Sequence, residues 1–123
     1  MKQSDINIKV LLDNENVPEK ILWNATDKDG GEEETKTFSL SIWDNRNQNT
    51  LRIDLWNKEM PIDEMKRFYI DCLGGLAQSI LNATGDEFMN SAMNRLCDKL
   101  VKHVEDEQRN NSQQKLFNAS TKR

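Results

Sequence analysis

The hydrophobic period of this chain changes once, inside the stretch TLRIDLWNKEMPIDEMKRFY, which runs from Thr50 to Tyr69. Up to Trp56, apolar and polar residues alternate, which is the period of a strand with one buried face. From Pro61 onward, apolar residues recur every three or four positions, which is the period of an amphipathic helix. The chain is therefore expected to place its strands before this switch and its helices after it.

Four segments before the switch have the character of strands. The alternation from Ile6 to Leu12 predicts the first, KILWNAT the second, TKTFSLSIW the third and TLRIDLW the fourth. The acidic segment DKDGGEEE is expected to be a loop. Its three glutamates leave open a short helix, instead of a strand, in the segment that follows them.

The last two predicted strands, TKTFSLSIW and TLRIDLW, are separated by the turn segment DNRNQN. A slip of one residue in their pairing would move every apolar side chain to the opposite face. If both apolar rows face one core, paired positions must have an odd sum. The loop between the strands must then contain an even number of residues.

Two helices are predicted after the switch. Pro61 suits a first helical position, and Asp63 and Glu64 complement the dipole of a helix N-terminus. This helix is expected to end near Thr84 and Gly85, with Asp86 as the N-cap of the next. Gly74 and Gly75 interrupt the first helix, which predicts either close packing by another element or a bend.

The order of these elements predicts an α+β fold: an antiparallel sheet of about four strands with two C-terminal helices packed on one face. The 123 residues suffice for one domain with a core. Residues 1–5 are expected to be a loose N-terminus, and residues 6–107 a single α+β domain. The polar, aperiodic residues 108–123 are expected to be a flexible tail.

Charge and hydropathy exclude several classes of function. The net charge of −4 and the pI near 5.0 argue against a nucleic-acid binder and against docking on anionic lipid. No signal peptide and no apolar stretch of about 20 residues is present, so a cytoplasmic protein without membrane insertion is expected. In that compartment Cys72 and Cys97 are expected to be buried, reduced thiols.

No combination of residues indicates catalysis, a metal or a cofactor. His103 is the only histidine, and there is no histidine pair or Cys-x-x-Cys spacing for zinc. DKDGGEEE invites a calcium interpretation, but with Asp27 as position one its first glycine is at position four, where an EF-hand loop needs glycine at position six. The glycines form no phosphate-binding loop. A non-enzymatic protein is therefore expected.

Binding through a surface is the remaining interpretation. If Leu51, Ile53 and Leu55 pack on the helices, then Arg52, Asp54 and Trp56 face outward. Trp43 lies on the same outward face. Tryptophan and arginine are enriched at interface hot spots. The alternative is that Trp56 tucks under a loop and an exposed Arg52–Asp54 pair contributes under ~1 kcal/mol. Self-association through the sheet would use the same residues, which are Trp43, Arg52, Asp54 and Trp56.

The segments NVPEKILWNATD, SIWD and above all TLRIDLWNKEMPIDEMKRFY resemble the GldC family of gliding-motility-associated proteins of the Bacteroidota. The resemblance covers about residues 6–105. It implies a small cytoplasmic accessory protein of a family with no established enzymatic activity or cofactor. The expected partner is a protein, with a gliding-machinery component as the candidate, and a homo-oligomer is a separate expectation. A chaperone-like binder of exported proteins is the alternative, and a small-molecule enzyme a weaker one. The matching positions are Trp23, Trp43, Asp44, Arg52, Asp54, Trp56, Met60, Pro61, Asp63, Glu64 and Met65.

Overall fold

The computed structural model describes the backbone of residues 1–121 and the side chains of residues 1–116. Five strands precede two helices, which confirms the predicted α+β class. The chain divides into two compact units, Met1–Pro61 and Ile62–Arg123, and each is described by itself. The elements are β1 (Ile6–Leu12), β2 (Pro18–Ala25), β3 (Glu33–Thr35), β4 (Thr37–Asp44), β5 (Asn49–Trp56), α1 (Ile62–Thr84) and α2 (Glu87–Thr121).

The strands of the first unit form two antiparallel sheets, in the orders β1-β2-β3 and β4-β5. β3 is the additional strand, beyond the four predicted, and it lies partly in the segment that was expected to be a loop. It pairs with β2 through Ile21↔Thr35 and Trp23↔Glu33. Three residues are too few to show an alternation, but they satisfy backbone groups that the edge of β2 would otherwise leave unpaired.

The pairing of β4 with β5 follows the predicted register. Phe38 pairs with Leu55, Leu40 with Ile53 and Ile42 with Leu51, so every pair has an odd sum. The loop contains four residues, Asn45 to Gln48, which is the even number that was expected. β4 is a strand, and the short helix considered for this segment does not form.

Two contacts lie at the end of the β4–β5 hairpin opposite its turn, and the second of them joins the two sheets. The backbone N–H of Asn57, which is 3% exposed, donates to the carbonyl of Lys36 at 2.8 Å. Lys58, just beyond β5, forms an ion pair with Asp13 in the turn between β1 and β2. The fully buried side chain of Ile21 marks the core of this unit.

In the second unit, α1 ends and α2 begins where the sequence indicates. Gly85, with φ of +73°, ends α1, and its N–H donates to the carbonyl of Leu81 at 2.8 Å. Asp86 caps α2, since its Oδ1 accepts from the N–H of Met89 at 3.0 Å. Over the described residues, neither helix is both long and apolar enough to span a bilayer.

The helices run antiparallel, and polar contacts join them at three levels. The side chain of Asn90 donates to the carbonyl of Ala77 at 2.8 Å. The Sγ of Cys97 lies 3.9 Å from the carbonyl of Ile70. Farther along, the Nζ of Lys66 lies 2.8 Å from Oε1 of Glu107.

The end of α2 differs from the expected one. The helix continues to Thr121, whereas the sequence pattern placed its end near Glu107. Residues 108–121 contain neither proline nor glycine, so no residue in this segment forces the helix to stop. Residues 122–123 of the predicted tail lie outside the described residues. The flexibility of the tail, the single domain over residues 6–107 and the packing of helices on the sheet stay predictions.

Candidate functional site

Side chains of mixed chemistry share one face of the β4–β5 hairpin, which we call the ladder face. Successive side chains of a strand point to opposite faces, so alternate residues of each strand contribute to it. The other face carries the apolar pairs of the hairpin, which are Phe38 with Leu55, Leu40 with Ile53 and Ile42 with Leu51. The ladder face consists of Thr37, Ser39, Ser41, Trp43, Thr50, Arg52, Asp54 and Trp56.

The register places charged residues at the centre of the ladder face and tryptophans at its ends. Ser39 pairs with Asp54, and Ser41 pairs with Arg52. Trp43 lies beside the turn, and Trp56 lies at the base of the hairpin. With a rise of about 3.3 Å per residue over six positions, the two indoles are separated by about 20 Å along the strands.

A hydrogen-bond network fixes the central side chains. Arg52 donates from Nη1 to Ser41 Oγ at 2.5 Å and from Nη2 to Ser39 Oγ at 2.8 Å. It also donates to both carboxylate oxygens of Asp54, at 2.9 Å from Nη2 and 3.3 Å from Nε. Ser39 in turn donates to Asp54 Oδ1 at 2.5 Å. The guanidinium and the carboxylate are therefore held in one arrangement across the two strands.

The network lowers the pKa of Asp54, its acidic residue. The hydroxyl of Ser39 and the guanidinium of Arg52 hold the pKa of Asp54 below its ordinary value, with the Ser39 hydrogen bond as the larger cause. Both groups stabilise the charged carboxylate. Asp54 consequently stays ionised and paired with Arg52 at neutral pH.

The four predicted binding residues lie together on this face and reach solvent. Trp43 is 59% exposed and Trp56 is 49% exposed. The side chains of Arg52 and Asp54 are 47% and 28% exposed. Large aromatic side chains usually bury more of their area, so two exposed tryptophans on one face are notable.

A small groove adjoins the base of the ladder face. It has a volume of about 260 Å³, and its apolar lining includes Val17, Pro18, Leu55 and Trp56. Trp56 therefore has one side on the groove and still exposes about half of its surface. The alternative in which this indole tucks under a loop describes only part of its environment.

The face of the hairpin opposite the ladder face is apolar and partly exposed. Ile42, Leu51 and Ile53 expose 50–54% of their surface. All three lie toward the turn end of the hairpin, next to one another in the register. A second, mainly apolar surface therefore lies behind the ladder face.

The acidic loop after β2 is organised around a lysine. The Nζ of Lys28 lies 2.7 Å from Glu33 Oε1 and donates to the carbonyl of Gly31 at 2.7 Å. It also lies 5.1 Å from the centroid of the Trp23 ring, which is a cation–π contact. The ammonium group thus occupies the centre of the segment whose carboxylates invited the calcium interpretation.

His103 lies on the surface of α2. Its Nε2 is 3.1 Å from Oε1 of Glu107, one turn along the same helix, and its side chain is 66% exposed. This is an ordinary surface pair rather than a catalytic pair in a closed pocket. Among the described residues, no group of three or more His, Cys, Asp or Glu side chains is placed to hold a metal ion.

Two members of the site were not singled out from the sequence. Ser39 and Ser41 alternate with the apolar residues of β4, and they supply the cross-strand contacts of Arg52 and Asp54. The signal that identifies them is the register. With a four-residue loop after Asp44, Ser39 must lie opposite Asp54.

One comparison with known proteins places the chain in a family. A family model described as "Gliding motility-associated protein GldC-like" matches residues 18–106. The matched segment includes all of β2 to α1 and more than half of α2, and therefore the whole ladder face. No curated protein and no solved structure matches the chain significantly.

Proposed function

Because the chain belongs to the GldC-like family of gliding motility-associated proteins, we propose that it is a non-catalytic cytoplasmic adaptor. In this proposal, it binds a protein component of the gliding machinery through the ladder face. The family match supports the link with motility. The adaptor role, its location and the binding face are the parts that we infer from the geometry.

The observation that carries the proposal is the placement of two exposed tryptophans at the two ends of the ladder face. Trp43 and Trp56 each expose about half of their surface on the same side of the hairpin. Interfaces gain most of their affinity from a few buried aromatic and arginine anchors. Here two indoles and a guanidinium offer three such anchors within about 20 Å.

The network between the tryptophans also favours binding. Four of the five guanidinium N–H groups of Arg52 donate to Ser39, Ser41 and Asp54, so its orientation is fixed before a partner arrives. Ordering a long side chain at an interface costs about 0.5–1.5 kcal/mol, and a fixed side chain avoids part of that cost. The ladder face is therefore already ordered for binding before it meets a partner.

Affinity capture from the native cell with matched variants tests the proposal. Arg52→Ala and Trp56→Ala should each reduce recovery of the partner strongly, because hot-spot truncations cost 2 kcal/mol or more, about 30-fold in affinity. Lys9→Ala, an exposed position of β1 outside the ladder face, is the control. Unchanged recovery with folded Arg52 and Trp56 variants would rule out this face.

A chaperone-like binder of exported proteins is the second candidate, and the apolar surfaces favour it. The groove beside Trp56 and the half-exposed row of Ile42, Leu51 and Ile53 resemble surfaces that hold extended apolar segments. Such a binder should delay aggregation of an unfolded substrate followed by light scattering, and Ile53→Ser should weaken this effect. An adaptor with one folded partner should leave that aggregation unchanged.

A further inference from the structure

The helical unit has almost no core of its own. Among its described side chains, Ala77 is the only hydrophobic one that is fully buried. Apolar residues that recur at helical spacing nevertheless run along both helices. Four large ones are 37–55% exposed at positions seven residues apart in each helix: Tyr69, Leu76, Met89 and Leu96.

These four side chains lie on one face of the helical hairpin, which we call the helical apolar face. Each stands one position before a residue that joins the helices, namely Ile70, Ala77, Asn90 or Cys97. One position along an α-helix is a rotation of about 100°. Both helices are right-handed but run in opposite directions, so seen from one end of the hairpin their side chains rotate in opposite senses. A step of one residue back from the contact line therefore places all four side chains on the same side of the hairpin.

The side of the hairpin that carries this face is comparable in size with a standard dimer contact. α1 has 23 residues and is therefore about 34 Å long. Two helices of about 10 Å diameter lie side by side, so the projected area is about 700 Å². A standard protein interface buries about 800 Å² per partner.

We propose that the helical apolar face is the contact surface for a second copy of this chain, and that the two hairpins form an antiparallel four-helix bundle. An isologous contact places the same face of both copies together, so an apolar face meets an apolar face. Bundles of this kind bury a core from facing positions seven residues apart. This inference is independent of the ladder face and of the proposed partner.

Light scattering of the full chain after size-exclusion chromatography tests the proposal. The expected mass is twice the 14.3 kDa of one chain. Leu76→Glu and Leu96→Glu each place an unpaired carboxylate in the contact and should weaken dimerisation by about 100-fold or more. Gln78→Glu and Ser91→Glu are exposed controls on other faces of the same helices and should leave the dimer intact.

Three results would overturn the proposal. The first is a monomer at every concentration, and the second is a dimer that persists in both leucine variants. The third is a dimer that is lost in Trp56→Ala but kept in Leu76→Glu, which would place self-association on the ladder face.

If the leucine variants fail to fold, the wild-type chain still provides a test. The melting temperature of a dimer rises with protein concentration, because association stabilises the folded state. A melting temperature that does not change over a hundredfold range of concentration would also contradict the proposal.

Discussion

Asp54 is the residue whose titration reports most directly on the ladder face. Its pKa is lowered first by the Ser39 hydroxyl and second by Arg52. A carboxyl whose pKa is lower in the folded chain stabilises the fold above its ordinary pKa. That contribution is lost as the pH falls through the folded pKa, so the arrangement should be intact at neutral pH and dissolve in acid.

Ser39→Ala should raise the pKa of Asp54 toward its ordinary value, because the variant removes the larger of the two stabilising contacts. Nuclear magnetic resonance titration of the Asp54 carboxyl carbon measures the change. Ser41→Ala is the matched control, since Ser41 contacts Arg52 and makes no hydrogen bond to Asp54 among the described contacts. Equal pKa values in the wild type and Ser39→Ala would show that Ser39 does not hydrogen-bond to Asp54 in solution.

Asp13 is a second residue with a shifted titration, and it connects the two sheets of the first unit. Lys58, followed by the backbone N–H groups of Val17 and Glu15, lowers its pKa from 3.8 to about 2. The carboxylate therefore stabilises the fold above about pH 4, and this stabilisation disappears as the pH falls through about 2.

Asp13→Asn should lower the urea midpoint of unfolding at pH 7, and the difference from the wild type should shrink between about pH 4 and pH 2. The turn variant Glu15→Gln removes the same charge from an exposed side chain and should have little effect at either pH. A constant difference across that range would mean that the Asp13–Lys58 contact makes no contribution to stability.

At the scale of the elements, α1 contains two glycines that its packing does not require. A Cβ added at Gly74 or Gly75 would meet no atom within 4 Å, so close packing, one of the two predicted explanations, is excluded. Glycine inside a helix costs about 1 kcal/mol relative to alanine.

Gly74→Ala and Gly75→Ala should therefore each raise the free energy of unfolding by about 1 kcal/mol, and the melting temperature by about 4 °C. Gly85→Ala is the contrasting variant, because φ of +73° at this position strains any residue with a Cβ. It should lower the melting temperature. Thermal unfolding followed by circular dichroism measures all three, and a loss of stability in the Gly74 and Gly75 variants would point to an unseen close contact.

The elements differ in how far the sequence predicts them. Long periodic segments with distinct ends, such as Ile62–Thr84 between Pro61 and Gly85, were predicted within a residue or two. β3 was missed as a separate strand because pairing with β2, rather than any local pattern, makes its residues a strand. The end of α2 was missed because polar residues without glycine or proline can continue a helix that shows no apolar period.

The candidate site was also predictable only in part. The positions of Arg52, Asp54 and Trp56 on one face follow from alternation alone. Their contacts with Ser39 and Ser41 require the register, which depends on a four-residue loop after Asp44. The Lys28 contacts required coordinates, because they bring Trp23, Gly31 and Glu33 together around one ammonium group.

At the scale of the whole molecule, each unit presents its own surface. The first unit has the ladder face, with two tryptophans around a fixed ion pair. The second has the helical apolar face, which suits a second copy of the chain. A dimeric adaptor would carry two ladder faces, and a partner that engages both would be bound more tightly than one face alone allows.

Photo-crosslinking from a single position tests the central claim most directly. A photoreactive amino acid in place of Trp43 should crosslink the full chain to a gliding-machinery protein in the native cell. The same amino acid in place of Ile42, the adjacent exposed residue on the opposite face of β4, should not. Equal crosslinking from both positions, or crosslinking from position 42 alone, would contradict the assignment of the ladder face as the partner-binding surface.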